Sequence, residues 1–176
     1  AENRFEKREV VMYKVAVVMG SKSDFEAVKP ALKALKKFGV PFFVRVLSAH
    51  RTPDEVHALV DGAEKDNIGV FIAAAGKAAH LAGVIAGLTT LPVIGIPMKS
   101  STMDGLDSLL SVVQMPSGVP VATVAIGGSE NAGILAAQIL ALGDASLAAK
   151  LKEYKKEMRA KVLGDDCDVQ KEIESI

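Results

Sequence analysis

His50 and Arg51 stand side by side in the segment Ser48-Ala49-His50-Arg51-Thr52-Pro53. Histidine is the residue type that most readily exchanges a proton near neutral pH, and arginine grips a phosphate through a two-pronged set of hydrogen bonds. A second segment, Met19-Gly20-Ser21-Lys22-Ser23-Asp24, places two hydroxyls and a carboxylate at the expected start of a helix. Free N–H groups and the helix dipole favour an anionic or sugar-bearing ligand there. A third segment, Gly76-Lys77-Ala78-Ala79-His80, is built of small residues that let a ligand or another backbone approach closely, and it ends on a histidine able to face that ligand. Each segment also has a plain structural reading. Ser23 and Asp24 suit a helix start with no ligand, Arg51 suits a surface charge, His50 a turn, and His80 a hydrogen-bonded core position. Residue types alone leave both readings open. His57 falls inside a helical pattern and is assigned no role.

The three histidines and single cysteine have no metal-ligand spacing, and the chain carries no GxSxG elbow, Walker loop or full GxGxxG fingerprint. Chemistry is therefore expected to rest on acid–base side chains, with no metal and no cofactor. The 21 basic and 21 acidic residues cancel, so no overall field draws the protein to nucleic acid or to an anionic membrane, and a small-molecule partner is expected. Cys167 has no partner for an intramolecular disulfide, which is consistent with a reducing compartment and a cytoplasmic protein. The charged residues 1–14 lack the apolar core of a signal peptide. The most apolar stretch, Ala78 to Met98, is interrupted by His80, Thr89, Thr90, Pro92 and Pro97, and reads as a buried helix followed by a buried strand rather than a membrane span. With 49% hydrophobic residues in a chain this small, some apolar surface is expected to be covered between subunits.

The elements that must position these segments are legible as β-branched apolar runs alternating with helical patterns, the mark of βαβ units and a parallel sheet. Strands are expected at Lys14–Met19, Phe42–Leu47, Val70–Ala75, Val93–Ile96 and Val121–Ile126, each nearly continuous in apolar residues, as strands covered on both faces should be. A capping box of Ser23 and Glu26 announces a helix ending at Phe38 before Gly39, with Pro30 inside it. Thr52, Pro53 and Glu55 announce another, ending near Asp66. Further helices are expected at Ala78–Leu88, Leu106–Met115, Asn131–Leu142 with Ser129 as cap, and Ser146 to about Leu163. The organisation expected is an N-terminal extension over 1–13, one domain over 14–163, and a polar, frayed tail over 164–176. In such a sheet, ligands bind outside the carboxyl ends of the strands, where all three segments lie.

These residues together carry a resemblance to a known family. Met-Gly-Ser-Lys-Ser-Asp at 19–24, Ser-Ala-His-Arg-Thr-Pro at 48–53, Ala-Ala-His-Leu at 78–81, Leu-Pro-Val-Ile-Gly-Ile-Pro at 91–97, and the long run from Gly105 to Pro116 continued at 118–126 resemble the PurE family in the same order. Within it, the chain is similar to the class I N5-carboxyaminoimidazole ribonucleotide mutases, over about Val15 to Leu142. The resemblance implies a flavodoxin-like α/β fold of three layers, a doubly wound parallel sheet with a C-terminal helix, assembled as a homo-octamer. It implies a step of de novo purine synthesis on an aminoimidazole ribonucleotide and carbon dioxide, without cofactor. His50 falls on the family's catalytic histidine. Ser21, Asp24 and Arg51 fall on substrate-binding positions, Ser23 and Ser48 lie near the phosphate, and the segment holding Ala79 and His80 lines the carbon dioxide pocket. The alternatives are direct carboxylation of aminoimidazole ribonucleotide by free carbon dioxide, and a non-catalytic nucleotide-binding module. Lys77 stands where the family pattern has glycine, Ala74 and Ala82 replace a glycine and a proline, and Asp104 stands where asparagine is common.

Overall fold

The structure, a computed structural model, describes residues 12–101 and 103–176. Most of the expected N-terminal extension, residues 1–11, lies outside them. The elements run β1 (Lys14–Met19), α1 (Phe25–Phe38), β2 (Phe42–Val46), α2 (Pro53–Asp61), β3 (Ile68–Ala75), α3 (Leu81–Leu88), β4 (Val93–Pro97), α4 (Leu106–Val113), β5 (Ala122–Thr123), α5 (Ser129–Leu140) and α6 (Ala145–Ile173). All strand pairs are parallel, in the order β2-β1-β3-β4-β5. This is the flavodoxin-like order, in which the winding reverses between β1 and β3.

The period-two alternation of a strand decides which residue enters which layer. Val15, Val17 and Met19 of β1, with Val70, Ile72 and Ala74 of β3, are buried with Val28 and Leu35 of α1, Ala132 and Ala136 of α5, and Leu147 of α6. Ala16 and Val18, with Phe71, Ala73 and Ala75, are buried on the other face with Val56 and Val60 of α2, Leu81 and Ile85 of α3, and Val112 of α4. The small residues between α1 and α5 set their closeness: a Cβ on Gly133 would lie 2.6 Å from the Ala31 carbonyl oxygen. Overlap of that order forces backbone shifts costing about 1–3 kcal/mol.

Several boundaries differ from the sequence expectation, each for a local reason. The first capping hydroxyl is Ser21, not Ser23. Ser21 Oγ accepts from the Ser23 N–H at 3.3 Å and from Ser23 Oγ at 2.8 Å, because a 3-10 turn over Lys22–Asp24 precedes α1 and draws Ser23 inside it. Glu26 pairs with Lys29 at 2.6 Å instead of closing a box. Thr52 is at the start of α2, yet its hydroxyl is engaged with the Ser48 backbone at 2.8 and 3.2 Å, and α2 ends at Asp61 before a run of turns. The helix expected from Ala78 begins at Leu81, so the third segment stays a loop. Ser129 is the first residue of α5 and not its cap; its Oγ is buried without a hydrogen-bond partner.

The largest difference is α6. Asp144 caps it, accepting from the N–H groups of Ser146 and Leu147 at 2.9 and 3.0 Å, and the helix continues through the expected tail to Ile173. Its first half docks on the end of α1, where Lys150 donates to the Phe38 carbonyl at 3.0 Å and Tyr154 meets Phe38 edge-on at 5.4 Å. Beyond, none of the described residues covers it, and the exposed helix carries Asp168 paired with Lys171 at 3.1 Å one turn on. Polarity alone does not break a helix: Gly164 costs about 1 kcal/mol relative to alanine and the following Asp165, Asp166, Cys167 and Asp168 somewhat less each, and the helix runs through them. Among the described residues, no helix is long and apolar enough to cross a membrane.

Candidate active site

At the carboxyl edge of the sheet, the loops after β1, β2, β3 and β4 enclose a cleft of about 650 Å³, a size typical of small-ligand sites. Ser21, Ser23, Asp24, Ser48, His50, Arg51 and His80 all line it. Ala79 does not. It is fully buried among Ala16, Val18 and Ile85 beneath the third loop, so the expectation that it touches a ligand is corrected. The backbone of the loop turns between Ala78 and His80, leaving those two at the cleft and the residue between them in the core.

The second loop is held open by its own polar groups. Ser48 Oγ accepts from the backbone N–H groups of His50 and Arg51, both at 3.3 Å, and from Arg51 Nε at 3.4 Å. Arg51 also donates from Nη2 to the Gly20 carbonyl at 2.9 Å, which ties the second loop to the first. A guanidinium carries five N–H donors in a fixed fork, so donors remain for an anion. Ser21, Ser23 and Ser48 stand beside it in the cleft wall. Arginine with hydroxyls around it is a phosphate-binding chemistry.

His50 and His80, thirty positions apart in the chain, meet across the cleft. His50 Nε2 lies 2.8 Å from His80 Nδ1, with the rings edge-on at 4.9 Å between centroids. Such a contact holds one proton between two ring nitrogens, so one ring donates and the other accepts. His50 Nδ1 has no hydrogen-bond partner among the described residues and is open to a ligand. The pair can deliver a proton to a bound molecule and take one back.

Burial raises the pKa of Asp24, an effect partly offset by hydrogen bonds from the Ser21 backbone and the Ser23 side chain. The folded protein therefore holds the Asp24 proton more tightly than the unfolded chain. This group destabilises the fold fully above its folded pKa, and the penalty fades as pH falls through the carboxylate range. Asp24→Asn is expected to raise Tm at neutral pH, with the difference from the parent vanishing in acid; melting curves against pH check this.

The fourth loop was not anticipated from sequence. Met98, Lys99, Ser100 and Ser101 complete the cleft, and the rule that placed the first three segments at strand ends would have found them after Pro97. Behind them Met103, Asp104 and Gly105 have φ of 51°, 54° and 101°. Gly105 is required: a Cβ there would lie 3.2 Å from the Met98 carbonyl oxygen and 2.9 Å from Ile126. Asp104, a residue type that tolerates this conformation, pairs with Lys99 at 3.3 Å. Among the described residues, no cluster of His, Cys, Asp or Glu could hold a metal ion.

Comparison with known proteins identifies the family. Residues 14–161 match the AIRC family, AIR carboxylase. The N5-carboxyaminoimidazole ribonucleotide mutases of Saccharolobus solfataricus and Thermotoga maritima are 55% and 53% identical over 152 residues, covering 86% of this chain and 96% and 89% of those relatives. The chloroplastic phosphoribosylaminoimidazole carboxylase of Vigna aconitifolia is 46% identical over 88% of this chain but only 28% of its own length. The crystal structure of Treponema denticola PurE superimposes with a TM-score of 0.81 at 32% identity, covering 88% of this chain and 96% of that one. With the match spanning the sheet, the layers and all four cleft loops, this chain belongs to the AIR carboxylase family.

Proposed function

We propose that the chain is an N5-carboxyaminoimidazole ribonucleotide mutase of purine biosynthesis, converting that substrate to 4-carboxyaminoimidazole ribonucleotide with His50 as the general acid and base. The observation that carries the reading is the 2.8 Å contact of His50 with His80 in a cleft whose adjoining wall holds Arg51 and three serines. Arg51, Ser21, Ser23 and Ser48 bind the phosphate, Asp24 the ribose, and the imidazole ring then lies against the histidine pair. Cleavage of the N5–carboxylate bond releases carbon dioxide, and His50 protonates the departing nitrogen. C4 of the electron-rich ring then forms a bond to that carbon dioxide, and His50 recovers a proton from C4. The sum is an isomerisation with no net proton and no external carboxyl source. Ala75, Gly76 and Ala78 line the wall next to His80 and carry no nucleophilic side chain themselves; the amine on this stretch is that of Lys77.

A histidine at the centre of the cleft argues for the mutase over a non-catalytic nucleotide module, which leaves the pair without a task. We propose further that the catalytic unit is a single domain over 14–163, working in the cytoplasm as a homo-oligomer, an octamer. Exposed Leu106, Leu110 and Val113 along one side of α4 support assembly. The deciding assay supplies purified protein, after chelation, with either N5-carboxyaminoimidazole ribonucleotide or aminoimidazole ribonucleotide, each with and without bicarbonate. Turnover of the first without bicarbonate is expected. Consumption of the second alone, and only with bicarbonate, would make the protein a direct carboxylase.

A further inference from the structure

Lys77 lies in the cleft wall with a backbone φ of 56°. Left-handed backbone is strained for a residue with a Cβ, and a glycine would adopt it freely. Strain of this kind persists in folded proteins where the side chain has a use. The cations of the cleft are Arg51, Lys77 and Lys99. Arg51 is committed in part to Gly20 and Ser48, and Lys99 to Asp104. Lys77 forms no ion pair among the described residues.

The sheet order separates these charges. Arg51 follows β2 and Lys77 follows β3, with β1 between them, so the strands that carry them are two spacings or about 10 Å apart. The His50–His80 contact bridges the same two loops. The cleft therefore draws one cationic residue from each of the two loops that supply its proton-exchanging pair. A ligand with one anion is served by Arg51 and its serines alone; a second cation without an ion pair, on the loop that carries His80, matches a ligand with a second anion. The substrate proposed above is such a molecule, with a phosphate at one end and a carboxylate on the ring at the other.

We infer that Lys77 is the cation of a second anion subsite in this cleft, one that takes a one-carbon carboxylate. The inference rests on the proposed mutase reading for the identity of that carboxylate, which is either carried by the ribonucleotide or supplied as bicarbonate. Lys77 holds it by charge from the loop that carries His80, and so distinguishes carboxylated from uncarboxylated ribonucleotides.

The test compares the parent with Lys77→Gly and Lys77→Arg. Calorimetry measures the affinity of 4-carboxyaminoimidazole ribonucleotide, of aminoimidazole ribonucleotide, and of bicarbonate in the presence of the latter. Lys77→Gly relieves the backbone, so it is expected to fold and melt no lower than the parent. It is expected to weaken the carboxylated ribonucleotide about tenfold while aminoimidazole ribonucleotide changes less than about twofold, and Lys77→Arg is expected to restore most of the loss. Loss of bicarbonate affinity instead assigns the same subsite to the free anion. The parent's preference for the carboxylated ligand should also weaken with salt, because the cation is exposed to solvent. Equal weakening of both ribonucleotides, or no weakening of either carboxylate source, overturns the inference. A parent that binds 4-carboxyaminoimidazole ribonucleotide but does not interconvert it with N5-carboxyaminoimidazole ribonucleotide removes the mutase reading while the subsite measurement stands.

Discussion

His50→Asn is expected to bind N5-carboxyaminoimidazole ribonucleotide within a fewfold of the parent and to turn it over about 10³-fold more slowly, because general acid–base catalysis by one group contributes about 10²–10⁴-fold and this reaction asks for two proton transfers. Asparagine keeps a planar polar group that can reach toward His80, but it carries no exchangeable charge. The surrounding loop does not depend on the ring: its hydrogen bonds run from the backbone N–H groups of residues 50 and 51 to Ser48 Oγ. A melting temperature close to the parent's is therefore expected, and it separates lost chemistry from lost structure. Steady-state kinetics with direct measurement of substrate binding checks the split. A kcat within about tenfold of the parent, a barrier change of only ~1.4 kcal/mol, removes the assigned role.

Arg51→Met should act on the other parameter. It removes the positive charge and the fork while keeping length and apolar stem, and it deletes the link from Nη2 to the Gly20 carbonyl at 2.9 Å. Hydrogen bonds from a charged group contribute about 1.5–3 kcal/mol each, so losing a two-pronged grip on phosphate is expected to raise KM about a hundredfold or more. Part of the effect should fall on kcat, because the phosphate is the anchor that presents the distant ring to His50. Arg51→Lys should recover only part of the loss, since an ammonium is a point charge without the fork. Inhibition by ribose 5-phosphate gives an independent reading: it should weaken in step with KM. A KM within about threefold of the parent would place the phosphate elsewhere.

The strand positions were legible because a parallel strand covered on both faces reads as an unbroken apolar run. Lys14–Met19 was read to the residue, and β2, β3 and β4 to within two. Only β5 shrank, from the run at 121–126 to Ala122–Thr123, as befits an edge strand with one neighbour. The lengths of helices were less legible. Whether Ser21 or Ser23 caps depends on a 3-10 turn too short to leave a periodicity, and α6 runs past its core contacts through a polar stretch of low propensity in which no apolar stripe marks a helix.

The residue types at 21–24, 48–51 and 77–80, and their place after successive strands, are properties of the chain read in order, since strand and loop alternation is encoded within a few residues. Which loops then face one another is not. The meeting of His50 with His80, the tie from Arg51 to Gly20 and the entry of residues 98–101 into the cleft all follow from the strand order β2-β1-β3-β4. That order is decided by packing between segments tens of residues apart, and no short-range pattern carries it.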